Sequence, residues 1–399
     1  MHCVDDMRIR ARSRLPHIVY DFVEGGAEGE RSAAWNEAAF DQIRFAPRPL
    51  GGSGIPSQKA CVFGTDYAVP FGIAPTGLAD FVWPGTAAAL AKLSADVGMP
   101  YILSTAASIT IEAAADLADG HLWFQLYAGD SRDLTRNLLR RAASAGVDTL
   151  VLTVDSPTPG RRRRDLRNGL NPEFRPTARH LADFLRHPRW FAATLRAGRP
   201  RLANIESYQA GLATEERLAN ASSLLGSSRV DWAKLHDVRQ EWAGKLIVKG
   251  IMTSEEAVGA EAAGAEAVLV SNHGGRVLDG VAATIEIVSD IRSALKASTM
   301  VFLDSGIRHG ADIVKALALG ADFVFLGRPW LYASAALGPA HGGAVLADVL
   351  RKEIGTVLAH LGCDELPIGD RRILWGAHNA AGVAVRSGAR AISSPGSDG

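Results

Sequence analysis

The residues best suited to chemistry lie between Ser271 and Gly280, where a polar, glycine-rich segment follows an apolar run. His273 can take up and release a proton near neutral pH. Arg276 carries a fixed positive charge on a planar group that matches a carboxylate. Glycines between them allow a sharp turn or a close approach to a flat ligand. The alternative interpretation is a strand-end turn with a capping histidine and a surface arginine.

Two further charged residues also follow apolar runs. Asp155 can accept the imidazole N–H of His273 and so fix its tautomer, although an Asx turn is the alternative role. Lys249 can pair with a carboxylate or, beside a flavin, stabilise the negative charge of the reduced ring. No serine or cysteine occupies a nucleophile elbow, and no His/carboxylate spacing resembles a zinc motif. Acyl transfer and metal hydrolysis are therefore poor hypotheses, and no metal is expected.

An alternation of apolar runs and helix-length stretches predicts the scaffold that positions these residues. Eight strand-like runs separated by helical patterns favour a (β/α)8 barrel (TIM barrel) over an open, doubly wound sheet. Because such barrels carry their chemistry at the C-terminal strand ends, the polar residues there should meet in one mouth. The predicted strand regions are 70–77, 101–107, 122–127, 149–155, 245–250, 267–273, 301–306 and 323–329.

The ends of the seventh and eighth predicted strands are typical of a phosphate site. Gly306 and Gly327 suit loops that run into helices, whose free backbone N–H groups bind phosphate. Arg308 and Arg328 add positive charge on adjacent strands. Helix caps with solvated arginines are the alternative.

Composition limits the function classes. The 399 residues include 43 basic and 43 acidic side chains, and this zero net charge argues against a general nucleic-acid binder. The three cysteines are far apart and are interpreted as free thiols in a reducing compartment. No apolar run reaches the roughly 18 residues of a spanning helix, and the N-terminus lacks a signal-like apolar core. A cytoplasmic location is expected.

The chain divides by composition into three parts. Residues 1–60 are predicted as a helical segment with a connecting arm, 61–385 as the barrel, and 386–399 as a disordered tail. An inserted loop segment, 161–230, follows the fourth strand. Its part 161–201 contains 12 arginines against 3 acidic residues, interleaved with aromatic and leucine side chains. Contact with an anionic membrane surface and a solvated active-site lid both fit this pattern.

Several segments together resemble one enzyme family, the FMN-dependent 2-hydroxy-acid dehydrogenases and oxidases, and within it mandelate dehydrogenase most. The 271–280 segment is similar to the family signature. The resemblance runs from about Leu15 to about Gly362, and it includes the segments 123–127, 152–155, 248–250, 304–308 and 315–321.

The resemblance implies an FMN cofactor and a role for each matching residue. It implies that His273 is the base, paired with Asp155, and that Arg276 and Arg162 bind the substrate carboxylate. Tyr127 would hydrogen-bond the substrate oxygen, and Lys249 would contact the flavin. Around the flavin ring it places Pro75, Thr76, Gly77, Ser104, Gln125, Thr153 and Ser271. At the ribityl chain and phosphate it places Asp304, Gly306, Arg308, Gly327 and Arg328.

The expected substrate is a mandelate-like (S)-2-hydroxy acid. Phe22 stands where the family usually has a tyrosine, and Gly77 and Ala106 leave space for a ring. The alternatives are an oxygen-using oxidase of smaller or aliphatic acids, a flavin-dependent isomerase, and a flavin-binding module without turnover. The electron acceptor stays open between a quinone, oxygen and a cytochrome. A homo-oligomer, often a tetramer in this family, is expected, with peripheral contact at the inner face of the plasma membrane as a further expectation.

Overall fold

The computed structural model describes residues 1–52, 54–170, 174–209 and 229–376. Eight parallel strands, hydrogen-bonded in consecutive order, close into a barrel, which confirms the predicted fold and rules out the open sheet. The barrel strands are β3 (Phe71–Ile73), β4 (Tyr101–Ser104), β5 (Leu122–Leu126), β6 (Thr149–Thr153), β7 (Lys245–Ile251), β8 (Ala267–Val270), β9 (Met300–Leu303) and β10 (Phe323–Leu326).

Helices cover the outer face of the barrel strands, and side chains packed inside the barrel bury the inner face. The strands are therefore continuous apolar runs. All four residues of β10, for example, are buried. The covering helices are α4 (Ala79–Val82), α5 (Thr86–Val97), α6 (Ile111–Ala118), α7 (Arg132–Ser144), α12 (Trp232–Glu241), α13 (Ser254–Ala262), α14 (Thr284–Ala294), α15 (Gly310–Ala318), α16 (Arg328–Leu337) and α17 (Pro339–Leu361).

A short antiparallel hairpin of β1 (Ala60–Val62) and β2 (Thr65–Tyr67) lies against the N-terminal ends of the barrel strands. The ring of Tyr67 contacts Trp123 and Phe323, and the ring of Phe63 contacts Trp123 and Phe302. This aromatic cluster fills the lower barrel, so that end is closed by packing.

Three helices precede the hairpin: α1 (Val4–Arg14), α2 (His17–Glu24) and α3 (Arg31–Asp41). Both α2 and α3 reach the opposite, C-terminal end of the barrel. The main chain of Ala27 donates to Gly275 O at 2.8 Å, and Glu28 N donates to Arg161 O at 2.9 Å. The N-terminal segment therefore forms part of the barrel mouth.

The insertion after β6 is helical where the structure describes it, with α8 (Arg163–Arg167), α9 (Ala178–Arg186), α10 (Pro188–Ala197) and α11 (Ala203–Gln209). Phe184 and Trp190 are buried, and the indole of Trp190 donates to Val82 O at 3.0 Å. Leu185 and Leu195 are each 67% exposed. The aromatic rings of the insertion thus anchor it to the barrel, while leucines face outward.

In the described parts of the chain, no helix combines the length and the apolar character needed to cross a bilayer. The predicted disordered tail, 386–399, lies outside the described residues, as does part of the predicted insertion.

Candidate active site

A cavity lies at the C-terminal ends of the barrel strands, and it brings together most of the residues that the sequence singled out. The predicted residues that line it are Phe22, Pro75, Thr76, Gly77, Ser104, Ala106, Tyr127, Arg162, Lys249, His273, Arg276, Asp304, Gly306, Arg308, Gly327 and Arg328. Three others, Gln125, Asp155 and Ser271, are hydrogen-bonded to lining residues, and Thr153 is hydrogen-bonded to Gln125 behind them.

His273 lies between a carboxylate and a phenol. Its Nδ1 is 3.0 Å from Asp155 Oδ1, and its Nε2 is 3.4 Å from the Tyr127 hydroxyl. Burial alone would raise the pKa of Asp155, but its interactions with His273 and Lys249 and a hydrogen bond from Ser156 outweigh burial and hold that pKa below its usual range. An ionised Asp155 accepts the Nδ1 proton, which leaves Nε2 free to take a proton from a ligand in the cavity.

Three guanidinium groups converge on one side of the cavity. Arg276 and Arg328 both donate to the same two carbonyl oxygens, those of Val23 and Gly25, at the end of α2. Burial and the neighbouring guanidinium of Arg162 lower the pKa of Arg276, and burial likewise lowers that of Arg328. Bringing these cations together costs free energy that a bound anion would recover.

The structure distinguishes among the four consecutive arginines that follow Gly160. Arg162 lines the cavity and pairs with Asp165, its Nε lying 2.6 Å from the carboxylate. Its neighbours turn to the N-terminal segment instead: Arg163 pairs with Glu28, and Arg164 pairs with both Glu30 and Asp21. Arg162 is thus the member of the run from 161 to 164 that lines the cavity.

Lys249 is buried at the floor of the cavity. Its Nζ donates to Ser271 Oγ at 2.7 Å and lies 3.4 Å from Asp304 Oδ2. The structural salt bridge weighed from sequence is therefore present, and the same ammonium also lines the cavity. On the neighbouring strands, Gln125 accepts from Ser104 Oγ and donates to Thr153 Oγ1. These contacts hold a row of polar groups along one wall.

Residues near β9 and β10 fit a phosphorylated flavin. Arg308 is buried and paired with Glu37, yet its Nε has no hydrogen-bond partner among the described residues. Thr76 Oγ1, in the cavity lining, is likewise buried and unpaired in that part of the chain. Such groups are costly unless a ligand satisfies them. A cofactor with a phosphate and a polar ring would supply both partners.

The wall where a substrate side chain would lie is small or apolar. A Cβ on Gly77 would be 3.2 Å from the Ala106 methyl, so these two residues form one shallow surface. The Phe22 ring packs edge-on against Phe81, with centroids 5.3 Å apart. It also lies under the Arg276 guanidinium, 5.5 Å from the ring centre. Phe22 therefore packs against the Arg276 guanidinium and presents no hydroxyl to the cavity.

Some functional positions escaped the sequence analysis. Ser305 lines the cavity, has φ +76°, and accepts a hydrogen bond from Gly274 N through its hydroxyl. The carbonyls of Val23 and Gly25 hold two arginines, and Asn36 contacts the loop that carries His273. The position of Ser305 directly after Asp304 was a usable signal. The other contacts join residues more than two hundred positions apart, and the local sequence carries no signal for them.

Comparisons with known proteins agree with this geometry. Residues 11–375 match the family model described as FMN-dependent dehydrogenase. The (S)-mandelate dehydrogenase of Pseudomonas putida is 40% identical over 363 residues, which cover 91% of each protein. The L-lactate dehydrogenase of Pectobacterium atrosepticum is 36% identical over 362 residues, covering 90% of this chain and 93% of that protein.

A solved structure described as the monotopic membrane protein (S)-mandelate dehydrogenase superposes with a TM-score of 0.88 at 38% identity, covering 94% of this chain and 99% of that one. The extent of both matches confirms the resemblance, the FMN cofactor and the assignment to oxidoreductases. This chain belongs to the FMN-dependent dehydrogenase family.

Proposed function

We propose that the protein oxidises an aromatic, mandelate-like (S)-2-hydroxy acid to the corresponding 2-keto acid. The observation that carries the proposal is His273, held by Asp155 and facing a cavity with two carboxylate-binding guanidiniums, those of Arg276 and Arg162. The similarity to a mandelate dehydrogenase and to lactate dehydrogenases supports the reaction class, and the small wall at Gly77 and Ala106 supports an aromatic substrate.

The residues around the cavity have separate roles in substrate binding and in proton transfer. Arg276 and Arg162 bind and orient the substrate carboxylate, and the Tyr127 hydroxyl hydrogen-bonds the substrate oxygen. His273 Nε2 takes a proton, either from the α-carbon or from the hydroxyl, and Asp155 stabilises the imidazolium that results. Burial and the charge of Asp155 raise the pKa of Tyr127, so this hydroxyl stays protonated as a hydrogen-bond donor.

The residues that fit FMN form the rest of the lining. Lys249 lies where it can stabilise negative charge on a reduced ring, and Arg308 and Arg328 lie where they can hold the phosphate. FMN, when bound, supplies the two-electron oxidation. The ring side of the cavity would be completed by Pro75, Thr76, Gly77, Ser104, Gln125, Thr153 and Ser271, and the ribityl side by Asp304, Gly306 and Gly327.

Anaerobic mixing of the purified yellow protein with substrate tests this proposal. We expect denaturation to release FMN, and (S)-mandelate to bleach the flavin absorbance faster than (R)-mandelate, lactate or glycolate. A protein that binds flavin but is bleached by none of these acids would favour the flavin-dependent isomerase or the non-catalytic flavin module instead. A preference for glycolate with fast reoxidation by oxygen would favour the small-substrate oxidase.

The electron acceptor separates a dehydrogenase from an oxidase. A quinone, oxygen and a cytochrome are the candidate acceptors, so the rate of reoxidation of the reduced enzyme should be measured with each of the three.

Light scattering of the same preparation will test the expected homo-oligomer.

We further propose that the inserted helices α9 and α10 contact an anionic membrane surface, as at the inner face of the plasma membrane. Leu181 and Leu185, one turn apart on α9, are 47% and 67% exposed, and Leu195 on α10 is 67% exposed. Exposed arginines accompany them at positions 179, 186, 189 and 196. Outward leucines among arginines match an interfacial helix pair.

Vesicle co-sedimentation tests this contact. Binding should be stronger to anionic than to neutral vesicles and should weaken in the double variant Leu185→Gln/Leu195→Gln. Leu117→Gln, an exposed leucine on α6, provides the matched control. Equal sedimentation of the wild type, the double variant and Leu117→Gln would favour the solvated-lid interpretation.

A further inference from the structure

The loop that carries His273 has an unusual backbone. His273, Gly274 and Gly275 have φ values of +58°, +65° and +71°, so three consecutive residues are left-handed. Histidine tolerates this region less well than glycine, and such a conformation persists only where its surroundings enforce it. Part of the support is local, because His273 N donates to Ser271 Oγ and Gly274 N donates to Ser305 Oγ.

The remaining support comes from α3, far away in sequence. Asn36, 1% exposed, donates from Nδ2 to Asn272 Oδ1 at 2.8 Å and accepts from Asn272 Nδ2 at 2.7 Å. Asn272 is the residue directly before His273. The same helix lies flush against two loops: a Cβ on Gly275 would be 2.4 Å from Ala33 N, and one on Gly306 would be 2.1 Å from Asn36 O.

The hydrogen bonds of Asn272 fix the orientation of both side-chain amides, its own and that of Asn36. Its Oδ1 also accepts from Gly275 N at 3.1 Å, and its Nδ2 also donates to Ala282 O at 3.1 Å. These backbone partners decide which amide atom is oxygen and which is nitrogen, and therefore how Asn36 must be oriented. All four hydrogen-bonding positions of the Asn272 amide are occupied, two of them by Asn36.

We propose that Asn36 is a positioning residue for catalysis, which holds His273 in its left-handed conformation through Asn272. The inference rests on the function proposed above. Asn36 itself does not line the cavity that holds the reacting groups. It acts by tying the Asn272 amide to α3 through two hydrogen bonds, so that Asn272 Oδ1 stays in place to accept from Gly275 N and the loop from His273 to Gly275 keeps one position.

Removal of the amide should loosen the loop without removing the base. In Asn36→Leu, Asn272 Nδ2 and Oδ1 each lose one of their two hydrogen-bond partners, and the loop can shift so that water replaces them. A displacement of the base by about 1 Å lowers a rate by about 10²-fold. We expect a loss of this size in the limiting rate of flavin reduction, with FMN still bound and with a smaller change in substrate affinity.

Phe40→Leu is the matched control, since Phe40 is a buried apolar residue one turn further along the same helix. It should lower the melting temperature while the reduction rate stays close to that of the wild type. The proposal is overturned if Asn36→Leu reduces flavin within about twofold of the wild-type rate, or if Phe40→Leu loses as much.

Asn36→Asp supplies a signature that general destabilisation would not produce. A protonated carboxyl can both donate to and accept from the Asn272 amide, whereas a carboxylate can only accept. A carboxyl buried at this position should have a raised pKa. The ratio of variant to wild-type reduction rate should therefore fall as pH rises, and the Asn36→Leu ratio should stay flat. Taking the ratio cancels the titration of His273 and the other groups that both enzymes share; equal, flat ratios would refute the role.

A melting experiment without substrate separates this inference from the proposed reaction. If Asn36 and Asn272 act as one pair, the double variant Asn36→Ala/Asn272→Ala should melt well above the value expected from adding the two single losses. Additive losses would overturn the inference even in an active enzyme. A wild type that no 2-hydroxy acid reduces would overturn the proposed function, and the melting cycle would still decide the pair.

Discussion

The two ends of the barrel differ in how their side chains find partners. At the N-terminal end, Trp123, Phe302 and Phe323 pack ring against ring under the β1–β2 hairpin. At the C-terminal end, guanidiniums, a lysine and a histidine face a cavity, and the buried Arg308 Nε has no partner among the described residues. The side chains at the N-terminal end pack against one another, whereas the polar groups at the C-terminal end need a ligand to supply their remaining partners. Stability and chemistry are thus separated along the barrel axis.

The largest effect should come from His273→Ala, which removes the proposed base and leaves the other cavity-lining residues in place. We expect flavin reduction to fall by at least ~10²–10⁴-fold, the range for a general base. FMN content should be unchanged, because the residues that fit the cofactor remain. Anaerobic stopped-flow absorbance measures the rate, and near-normal reduction would remove His273 from its assigned role.

The opposite end is tested by Phe302→Ala. Phe302 is fully buried and contacts the rings of Phe63, Trp123, Phe323 and Phe325. Its truncation should cost about 3–5 kcal/mol of unfolding free energy, or about 150–4,000-fold in the unfolding equilibrium. Denaturant unfolding measures the loss. In the folded Phe302→Ala protein, substrate should still reduce the flavin at close to the wild-type rate. A loss of reduction rate larger than that of His273→Ala would contradict the separation of the two ends.

The Ala106→Trp variant tests whether the ring of the substrate lies against Gly77 and Ala106. A phenyl ring against Gly77 and Ala106 would remove on the order of 100 Å² of apolar surface from water, about 2.5 kcal/mol at roughly 25 cal/mol per Å². That is nearly a hundredfold in specificity. Wild-type kcat/KM should therefore be higher for mandelate than for glycolate and lactate, and the tryptophan should erase or reverse this order. A variant that still prefers mandelate would show that the ring lies elsewhere.

Arg276→Lys should lower kcat/KM by about 10–100-fold, because one ammonium cannot replace the bidentate contact of a guanidinium with a carboxylate. Steady-state kinetics with (S)-mandelate provide the measurement. Arg163→Lys is the matched control, because Arg163 is exposed and pairs with Glu28 outside the cavity. Equal kinetics in the two variants would contradict the carboxylate role of Arg276.

The smallest effect should be that of Tyr127→Phe. The Tyr127 hydroxyl is 3.4 Å from His273 Nε2, and a single neutral hydrogen bond contributes about 0.5–1.5 kcal/mol. A loss of about 2–10-fold in the reduction rate follows. A loss as large as that of His273→Ala would mean that the phenol itself moves a proton.

The mouth was largely predictable because its residues are local in sequence. Many of its polar groups lie at or near the end of an apolar strand, as with Asp155 two residues after β6 and Lys249 near the end of β7. Once eight strands close into a barrel, all such ends must meet, so strand-end position alone brought His273 to Asp155. The aromatic rings of the insertion show the limit of this logic: Phe184 and Trp190 are buried against the protein, whereas Leu185 and Leu195 are exposed.

The sequence by itself therefore determined the barrel, the end that carries chemistry, and the residue types placed there, because strand periodicity and strand-end polarity are properties of contiguous residues. Only the tertiary structure decided which long-range contacts hold these residues in place. Asn36 meets Asn272, and the end of α2 meets Arg276 and Arg328, across more than two hundred residues. Such contacts depend on how the N-terminal helices dock on the finished barrel, and the docking surface exists only after the chain has closed.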